Sequence, residues 1–204
     1  MFHEQVIMKT LEFLLSNDKN IRVVGFDDTP FDTSTPDTQR VNICGVVCNT
    51  AQFEGMLWGE VTKDGTDATD TVIGMLENSK FNDQVHVMLF DGIAFGGFNI
   101  LDITQISEQL NRPCIAVMRD IPDFERIGQA IDNVDSSEER IALIKKAGII
   151  YSLNMFHFQV KGCTPEDAAR LLQKVTVNGN VPEALRIAHL IGSAVKTGQS
   201  GKRA

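Results

Sequence analysis

The feature that most constrains the fold is a nearly continuous apolar run over residues 85–90, which ends in Asp91-Gly92. A run of this kind is typical of a strand that is buried on both faces of a sheet. A helical pattern over residues 101–110 and a second apolar strand over 113–118 follow it. Strand, helix and strand at this spacing predict a parallel crossover unit, so the chain is expected to be an α/β protein.

The remaining elements extend this unit into a mixed sheet. Earlier strands are predicted over residues 21–26, 41–48 and 52–61, the last two as an antiparallel pair, and residues 149–160 look extended. Helices are predicted over residues 4–16, 69–78, 123–131, 137–146 and 181–195, with a further one starting at Thr164, while residues 29–40 read as a loop. Ser136 and Glu139 have capping-box spacing, and Thr164-Pro165 has the pattern of an N-cap. We therefore expect a five-stranded mixed sheet with helices on both faces.

Length and composition restrict the class of protein. The chain has 204 residues, which fits a single domain over 1–204, with 196–204 expected to form a mobile tail. A net charge of −8 argues against a basic nucleic-acid coat protein, but not against an enzyme with a local basic groove. The N-terminus lacks the pattern of a signal peptide, and no apolar run could span a bilayer, so we expect a cytoplasmic protein without membrane contact. The four cysteines form no CxxC pair and are expected to be buried thiols in a reducing compartment.

Acidic residues follow two of the predicted strands. Asp27 and Asp28 end the first strand, where alternation sends them to opposite faces, and which of the two faces a site is left open. Asp91 ends the central strand, at the sheet edge where open α/β folds bind ligands. The alternatives are a solvated loop entrance for the aspartate pair and a turn aspartate for Asp91.

Three further residues are candidates for the same site. Asp70 begins a helix and is either a third carboxylate or an ordinary helix-terminal acid. Arg119 ends the strand after Asp91 and is either a phosphate ligand or the partner of a nearby acid. His189 lies near the apolar side of a helix and is either a core histidine or a ligand. Three oxygen ligands in one place would suit Mg²⁺ or Mn²⁺.

Four segments resemble the DUF99 family, also called UPF0215, and together they extend over nearly the whole chain after residue 20. These segments are residues 22–31, 64–70, 89–99 and 179–189. The family is similar in turn to endonuclease V, which has a ribonuclease-H-like fold and cuts nucleic acid near deaminated adenine with Mg²⁺. The resemblance implies that Asp27 and Asp91 bind Mg²⁺ or Mn²⁺, that Asp70 and His189 complete the metal shell, and that Arg119 stabilises a phosphate of DNA or RNA.

The chain also departs from the endonuclease V pattern. Asp70 stands where that pattern has a longer glutamate, and Arg119 replaces a lysine. The wedge that separates strands in endonuclease V is missing, and Trp58-Gly59-Glu60 occupies that part of the chain. The sequence therefore leaves two functions open: a metal-dependent phosphodiesterase acting on nucleic acid, and a non-catalytic module that binds a nucleotide or RNA. It gives no oligomeric state.

Overall fold

The structure is a computed structural model that describes residues 10–34, 39–131 and 134–201. Its strands are β1 (Arg22–Asp28), β2 (Arg40–Asn49), β3 (Gln52–Thr62), β4 (Val87–Asp91), β5 (Ala94–Phe95), β6 (Asn99–Ile100), β7 (Cys114–Met118), β8 (Tyr151–Leu153) and β9 (Phe156–Lys161). Its helices are α1 (Leu11–Ser16), α2 (Ala68–Glu77), α3 (Ile103–Leu110), α4 (Phe124–Ile131), α5 (Ser137–Ala147), α6 (Pro165–Lys174) and α7 (Glu183–Thr197).

The main sheet has the strand order β3-β2-β1-β4-β7-β9-β8. Strands β4 and β7 are parallel, as the crossover pattern predicted, and β1 pairs with β4 in parallel as well. The outer pairs are antiparallel. The ladder matches Phe26 with Phe90 and Asp91 with Val117, so the carboxyl ends of the three central strands lie side by side. A small separate sheet pairs β5 with β6.

The prediction of five strands was wrong, because the main sheet has seven among the described residues. The stretch over 149–160 was expected to be one extended segment, but it folds back on itself as the β8–β9 hairpin. Asn154 in its turn has a φ of 55°, a left-handed conformation that asparagine tolerates better than most residues. Strand β9 then adds antiparallel to the edge of β7.

Helices cover both faces of the sheet, which confirms the mixed α/β architecture. Helices α2, α3 and α5 pack on the face that carries Val24 and Phe26, and α1, α6 and α7 pack on the face that carries Val23. Each face has its own apolar core, so β1 is buried on both sides. No helix among the described residues is long and apolar enough to cross a membrane.

Local predictions at the helix ends had mixed outcomes. The Thr164 cap is confirmed, since its Oγ1 accepts from the backbone N–H of Asp167 at 3.1 Å. The capping box at Ser136 was wrong, because Ser136 has a left-handed φ of 59° and makes no side-chain cap bond. Helix α7 continues to Thr197, two residues beyond its predicted end. Residues 4–9 of the predicted first helix lie outside the described residues, as do residues 35–38 of the predicted loop.

The cysteines are free thiols within the described chain. Cys44, Cys48 and Cys114 are buried, as predicted, while Cys163 is partly exposed. Burial raises the pKa of Cys44 and Cys48 to about 12, which keeps both thiols protonated and unreactive.

Candidate metal centre

Three parallel strands end at one edge of the sheet and deliver polar side chains there. Strand β1 supplies Asp27 and Asp28, β4 supplies Asp91, and Arg119 follows the last residue of β7. Because the strands are parallel and in register, their ends are adjacent even though the residues are distant in sequence. Arg119 Nη2 lies 3.6 Å from Asp91 Oδ2.

The alternation of β1 decides which of its two aspartates faces α7. Asp27 shares a face with Val23, so its carboxylate points towards α7 and is almost fully buried. Asp28 lies on the other face, where its Oδ2 accepts a hydrogen bond from the backbone N–H of Gly96 at 2.6 Å. Of the two aspartates at the end of β1, Asp27 is therefore the one that faces α7, and Asp28 points to the opposite side of the sheet.

Helix α7 brings His189 to this edge. Its Nδ1 lies 3.0 Å from Asp27 Oδ2, within hydrogen-bonding distance. The helix can approach because β1 carries Gly25, where a Cβ would lie 2.8 Å from the backbone carbonyl carbon of Ala184. Such a distance is shorter than real Cβ contacts allow, so only glycine lets α7 lie this close to the sheet.

Asp27, Asp91 and His189 form a compact cluster of potential metal ligands. One side-chain donor atom from each lies within 4.8 Å of the other two, and the described residues contain no other group of this kind. Two carboxylates and one imidazole are donors that suit Mg²⁺ or Mn²⁺ better than soft metals. With Arg119 beside Asp91, four of the five residues that the sequence analysis selected meet at this edge.

Asp70 does not join them. It lies on α2, which packs on the opposite face of the sheet from α7. Its neighbours Thr69, Val72 and Ile73 face the core, so Asp70 points to solvent, where Gln105 Nε2 donates to its Oδ1 at 3.4 Å. Asp27, Asp70 and Asp91 were expected to lie close together. Only Asp27 and Asp91 do so, because position 70 falls on the solvent-facing side of α2.

Asp28 is the third carboxylate near the cluster, although only one of the two strand-end aspartates was expected to face a site. Its negative charge raises the pKa of Asp27, and the charge of Asp91 raises the pKa of Asp28, so the three acids interact. Alternation along the strand predicts that the two aspartates point to opposite faces, and it does not indicate that both can act at one site. At a sheet edge both faces open on the same space, which is why Asp28 still interacts electrostatically with Asp91.

Burial dominates the electrostatics of the cluster. Loss of solvent, with the charges of Asp91 and Asp28, raises the pKa of Asp27 to about 8. Burial also raises the pKa of Asp28 to about 6, and it raises the pKa of Asp91 against the opposing effects of Arg119 and His189. The pKa of His189 is lowered, first by burial and then by the positive charge of Arg119. Without a cation the carboxylates therefore favour protonation, which is the behaviour of a site suited to a bound metal ion.

The loop after β4 is held in place by a buried arginine that sequence reasoning missed. Arg140 of α5 donates to the backbone carbonyls of Phe98, Gly65 and Asp64. These bonds join α5 to the 92–98 loop, whose Gly96 N–H contacts Asp28. A buried arginine bonded only to carbonyls has no sequence signature, because its partners are backbone atoms from distant segments.

An apolar pocket of about 300 Å³ opens beside Asp91. Its walls come from the 92–98 loop, from the end of β7 and from the two helices that follow, and they include Ile93, Phe98, Met118 and Pro122. Gly92 has a φ of 74° and begins the loop that forms one wall. The pocket therefore places a mostly apolar cavity directly next to one of the carboxylates of the cluster.

Comparison with known proteins agrees with this architecture. A family model described as endonuclease dU matches residues 19–196. A UPF0215 protein of Methanothermobacter thermautotrophicus is 39% identical over 186 residues, which cover 88% of this chain and 90% of that protein.

Two solved structures share the fold. The crystal structure of a protein of unknown function from Archaeoglobus fulgidus has a TM-score of 0.80 and 35% identity, and the match covers 86% of this chain and 98% of that one. Endonuclease V of Ciona intestinalis, in complex with an inosine-containing DNA, has a TM-score of 0.53 and 18% identity, covering 87% and 90% of the two chains. The second likeness identifies the fold as that of endonuclease V.

Proposed function

The chain belongs to the endonuclease dU family, also known as UPF0215, and on that basis we propose that it is a divalent-metal-dependent endonuclease that cuts DNA containing deoxyuridine. The observation that carries the proposal is the convergence of Asp27, Asp91 and His189 within 4.8 Å at the carboxyl edge of the sheet. The substrate class follows from the description of the family. The DNA bound to the endonuclease V neighbour supports nucleic acid as the partner.

In this proposal Asp27, Asp91 and His189 hold a Mg²⁺ or Mn²⁺ ion. A divalent ion supplies charge that stabilises the phosphoryl transition state and lowers the pKa of a bound water. The donor set fits the ion, since it offers hard oxygens and one imidazole. The raised pKa values of Asp27 and Asp91 fit it too, because binding a cation would stabilise their ionised forms.

Arg119 is the residue of this chain that would contact the scissile phosphate. Its guanidinium lies 3.6 Å from Asp91 Oδ2, and its side chain keeps 38% of its surface exposed. An arginine can donate two parallel hydrogen bonds to phosphate oxygens, which orients the group as well as neutralising it. Its contact with Asp91 would keep the guanidinium beside the metal ligands before the substrate binds.

The apolar pocket beside Asp91 would receive an unstacked base. Enzymes that act at a particular base take it out of the stack and hold it between apolar walls. The pocket has walls of that kind in Ile93, Phe98 and Met118, and it shares Asp91 with the metal centre. A base held there would lie next to the backbone phosphate that is to be cut.

The proposal is tested with duplex DNA that carries a single deoxyuridine, using the same duplex with thymidine as the control. We expect cleavage near the deoxyuridine in Mg²⁺ or Mn²⁺ and none after chelation. Equal cleavage of both duplexes would contradict the substrate class while leaving the nuclease activity intact. Binding without cleavage in either metal would contradict catalysis and favour the non-catalytic binding module.

The role of the pocket has a separate test. Ala94 is exposed and lines the pocket, so an Ala94→Phe substitution would fill it with little cost to the core. We expect KM for the deoxyuridine duplex to rise while the affinity for Mn²⁺ stays unchanged. An unchanged KM would exclude this pocket as the base-binding site.

A further inference from the structure

Strand β3 forms one edge of the main sheet, and among the described residues no strand pairs with its outer side. It is 11 residues long and contains neither proline nor lysine. Natural edge strands commonly carry one of these residues, because a free row of backbone donors and acceptors invites pairing with another chain. Edge strands are also protected by charges and β-bulges, and β3 has Glu54, Glu60 and a register shift opposite Val47 and Cys48. The stretch from Gly55 to Gly59 lies between these features and is the part of the edge that is open to a partner strand.

Two side-chain contacts and the pairing with β2 show which backbone groups of β3 point outward. Glu60 uses its carbonyl oxygen to accept from Arg40 Nη2 at 2.9 Å, and Thr62 uses its N–H to donate to Asp67 Oδ1 at 3.0 Å. Asn42, which stands opposite Glu60, accepts from the backbone N–H of Thr29 on the β1 side, so Asn42 and Glu60 form a non-hydrogen-bonded pair and the backbone groups of Glu60 and Thr62 face away from β2. Since outward-facing residues alternate along a strand of an antiparallel pair, the N–H and C=O of Met56 and Trp58 also face the free edge.

The side chains at this edge are apolar and exposed. Phe53, Met56 and Trp58 all lie on the α7 face of β3, because they stand opposite Cys48, Val46 and Cys44, which are buried on that face. Their exposed fractions are 47%, 39% and 39%, in the same order. Aromatic residues and methionine are enriched in protein–protein interfaces relative to the rest of the surface.

The order of residues along β3 identifies the partner. Residues 54–60 read Glu-Gly-Met-Leu-Trp-Gly-Glu, which is nearly the same in both directions about Leu57. Two copies of this strand can pair antiparallel with a two-fold axis at Leu57. Glycine then faces glycine, and Met56 lies opposite Trp58 of the partner subunit. Cross-strand pairs of large apolar residues stabilise sheets, and a two-fold interface requires this kind of self-complementarity.

The charges at the ends of the segment are compatible with this pairing. The two-fold places Glu54 opposite Glu60 of the partner subunit, which by itself would be repulsive. Each glutamate already carries an arginine, since Arg22 Nε lies 2.6 Å from Glu54 and Arg40 Nε lies 3.2 Å from Glu60. Arg40 also contacts Asp67 Oδ2 at 2.9 Å, so three acids and two arginines meet at each end, and the two arginines offset most of the repulsion between the glutamates.

We propose that β3 is the interface of a symmetric homodimer, in which two copies pair antiparallel about Leu57 and join their sheets into one continuous sheet. The outward N–H and C=O groups of Met56 and Trp58 form the central hydrogen bonds with the second copy. The exposed apolar strip on the α7 face becomes covered by the same strip of the partner. This inference does not depend on the proposed nuclease activity.

The first test measures mass in solution by analytical ultracentrifugation over a range of concentrations. Wild-type protein is expected at twice the mass of one chain, and Trp58→Lys at the mass of a single chain, with an unchanged circular dichroism spectrum. Met155→Lys is the matched control, because Met155 is 58% exposed in the β8–β9 turn at the opposite edge of the sheet. The control is expected to remain dimeric. A wild-type monomer up to the solubility limit, or a dimer that Trp58→Lys leaves intact, would overturn the proposal.

A second test fixes the register. Residues that face each other at a non-hydrogen-bonded antiparallel position have Cα atoms about 4.5 Å apart, close enough for a disulfide. Leu57→Cys is therefore expected to give a covalent dimer on mild oxidation, whereas wild-type protein and Phe53→Cys, which lies far from the axis, are not. Crosslinking of Phe53→Cys with none for Leu57→Cys would contradict the two-fold at Leu57.

Discussion

His189 Nδ1 lies 3.0 Å from Asp27 Oδ2, although 162 residues separate the two in the sequence. The contact joins α7 to the end of β1 and brings the imidazole of His189 into the cluster with Asp27 and Asp91. Because burial raises the pKa of Asp27 to about 8 and lowers that of His189, it links a carboxylic acid and a neutral imidazole at neutral pH when no cation is bound. In the proposed metal complex the ion would replace the proton of Asp27, so the protonation of this contact would report on metal binding.

Removing the charge of a ligand is expected to abolish cleavage. Asp91→Asn and Asp27→Asn keep the side-chain shape but remove the negative charge that a cation requires. Because a catalytic metal contributes several kcal/mol to transition-state stabilisation, kcat should fall on the order of a thousandfold. Asp70→Asn is the control with the same chemical change, and we expect it to be nearly as active as wild type, since Asp70 lies away from the cluster. Single-turnover cleavage assays check all three, and wild-type activity in Asp91→Asn would refute the metal assignment.

The metal-free protein is expected to lose stability as the pH rises. Asp27, Asp28 and Asp91 have folded-state pKa values raised above the unfolded value of about 3.9, so the folded state holds protons that the unfolded state has released. Their contribution is complete below about pH 4 and is lost as the pH rises through about 6 for Asp28 and about 8 for Asp27. The lowered pKa of His189 makes the fold more stable as the pH rises, but this is the effect of one group against that of three carboxylates.

Thermal unfolding from pH 5 to pH 8 in a chelator measures this effect. We expect the Tm to fall across the range, and we expect added Mg²⁺ to raise it most at the alkaline end, where less proton displacement is needed. An Asp27→Asn variant should have a flatter profile. A wild-type Tm that rises steadily with pH in the absence of metal would contradict the raised pKa values.

The response of His189 to a metal ion can be observed directly. If it is a ligand, saturating Mg²⁺ should lower its apparent pKa in an NMR titration, because the ion favours the neutral imidazole. His86 and His157 serve as internal controls, since His86 Nδ1 accepts from the backbone N–H of Arg22 and His157 contacts Ser152, both away from the cluster. A His189 resonance that does not respond to Mg²⁺ would remove the residue from the ligand set and leave the aspartates.

The position of α7 is expected to depend on Gly25. An alanine there would put its Cβ 2.8 Å from the backbone of Ala184 and Leu185, so α7 must move away from the sheet. We expect Gly25→Ala to destabilise the fold by about 1–3 kcal/mol, as overpacking usually does, and to weaken Mn²⁺ binding by displacing His189. Gly74→Ala in α2 is the control, because only Asn78 Nδ2 lies near its Cβ position, at 3.8 Å, and alanine favours a helix. Urea unfolding and calorimetric metal titration of both variants test this, and equal metal affinity in Gly25→Ala would contradict it.

Local sequence patterns were enough to predict the central part of the fold and three residues of the candidate site. Asp27, Asp91 and Arg119 each follow a β-branched or apolar run that predicts a strand, and the predicted parallel crossover aligns the ends of the strands before Asp91 and Arg119. These are local patterns combined with one topological rule, so no long-range packing had to be known. The family resemblance then selected His189, which its own helical pattern left undecided between core and ligand.

The other features of the candidate site follow from the way separate elements pack against one another, which local patterns do not contain. His189 reaches Asp27 only because Gly25 lets α7 approach the sheet, and Asp70 is excluded by the rotation of α2 about its own axis. Asp28 interacts with Asp91 because the two faces of the sheet meet at its edge. The β8–β9 hairpin could not be distinguished from one long strand, since both are extended and only its pairing with β7 separates them. The periodicity of apolar residues shows which side of a helix or strand is buried, but it does not show which other element packs against that side.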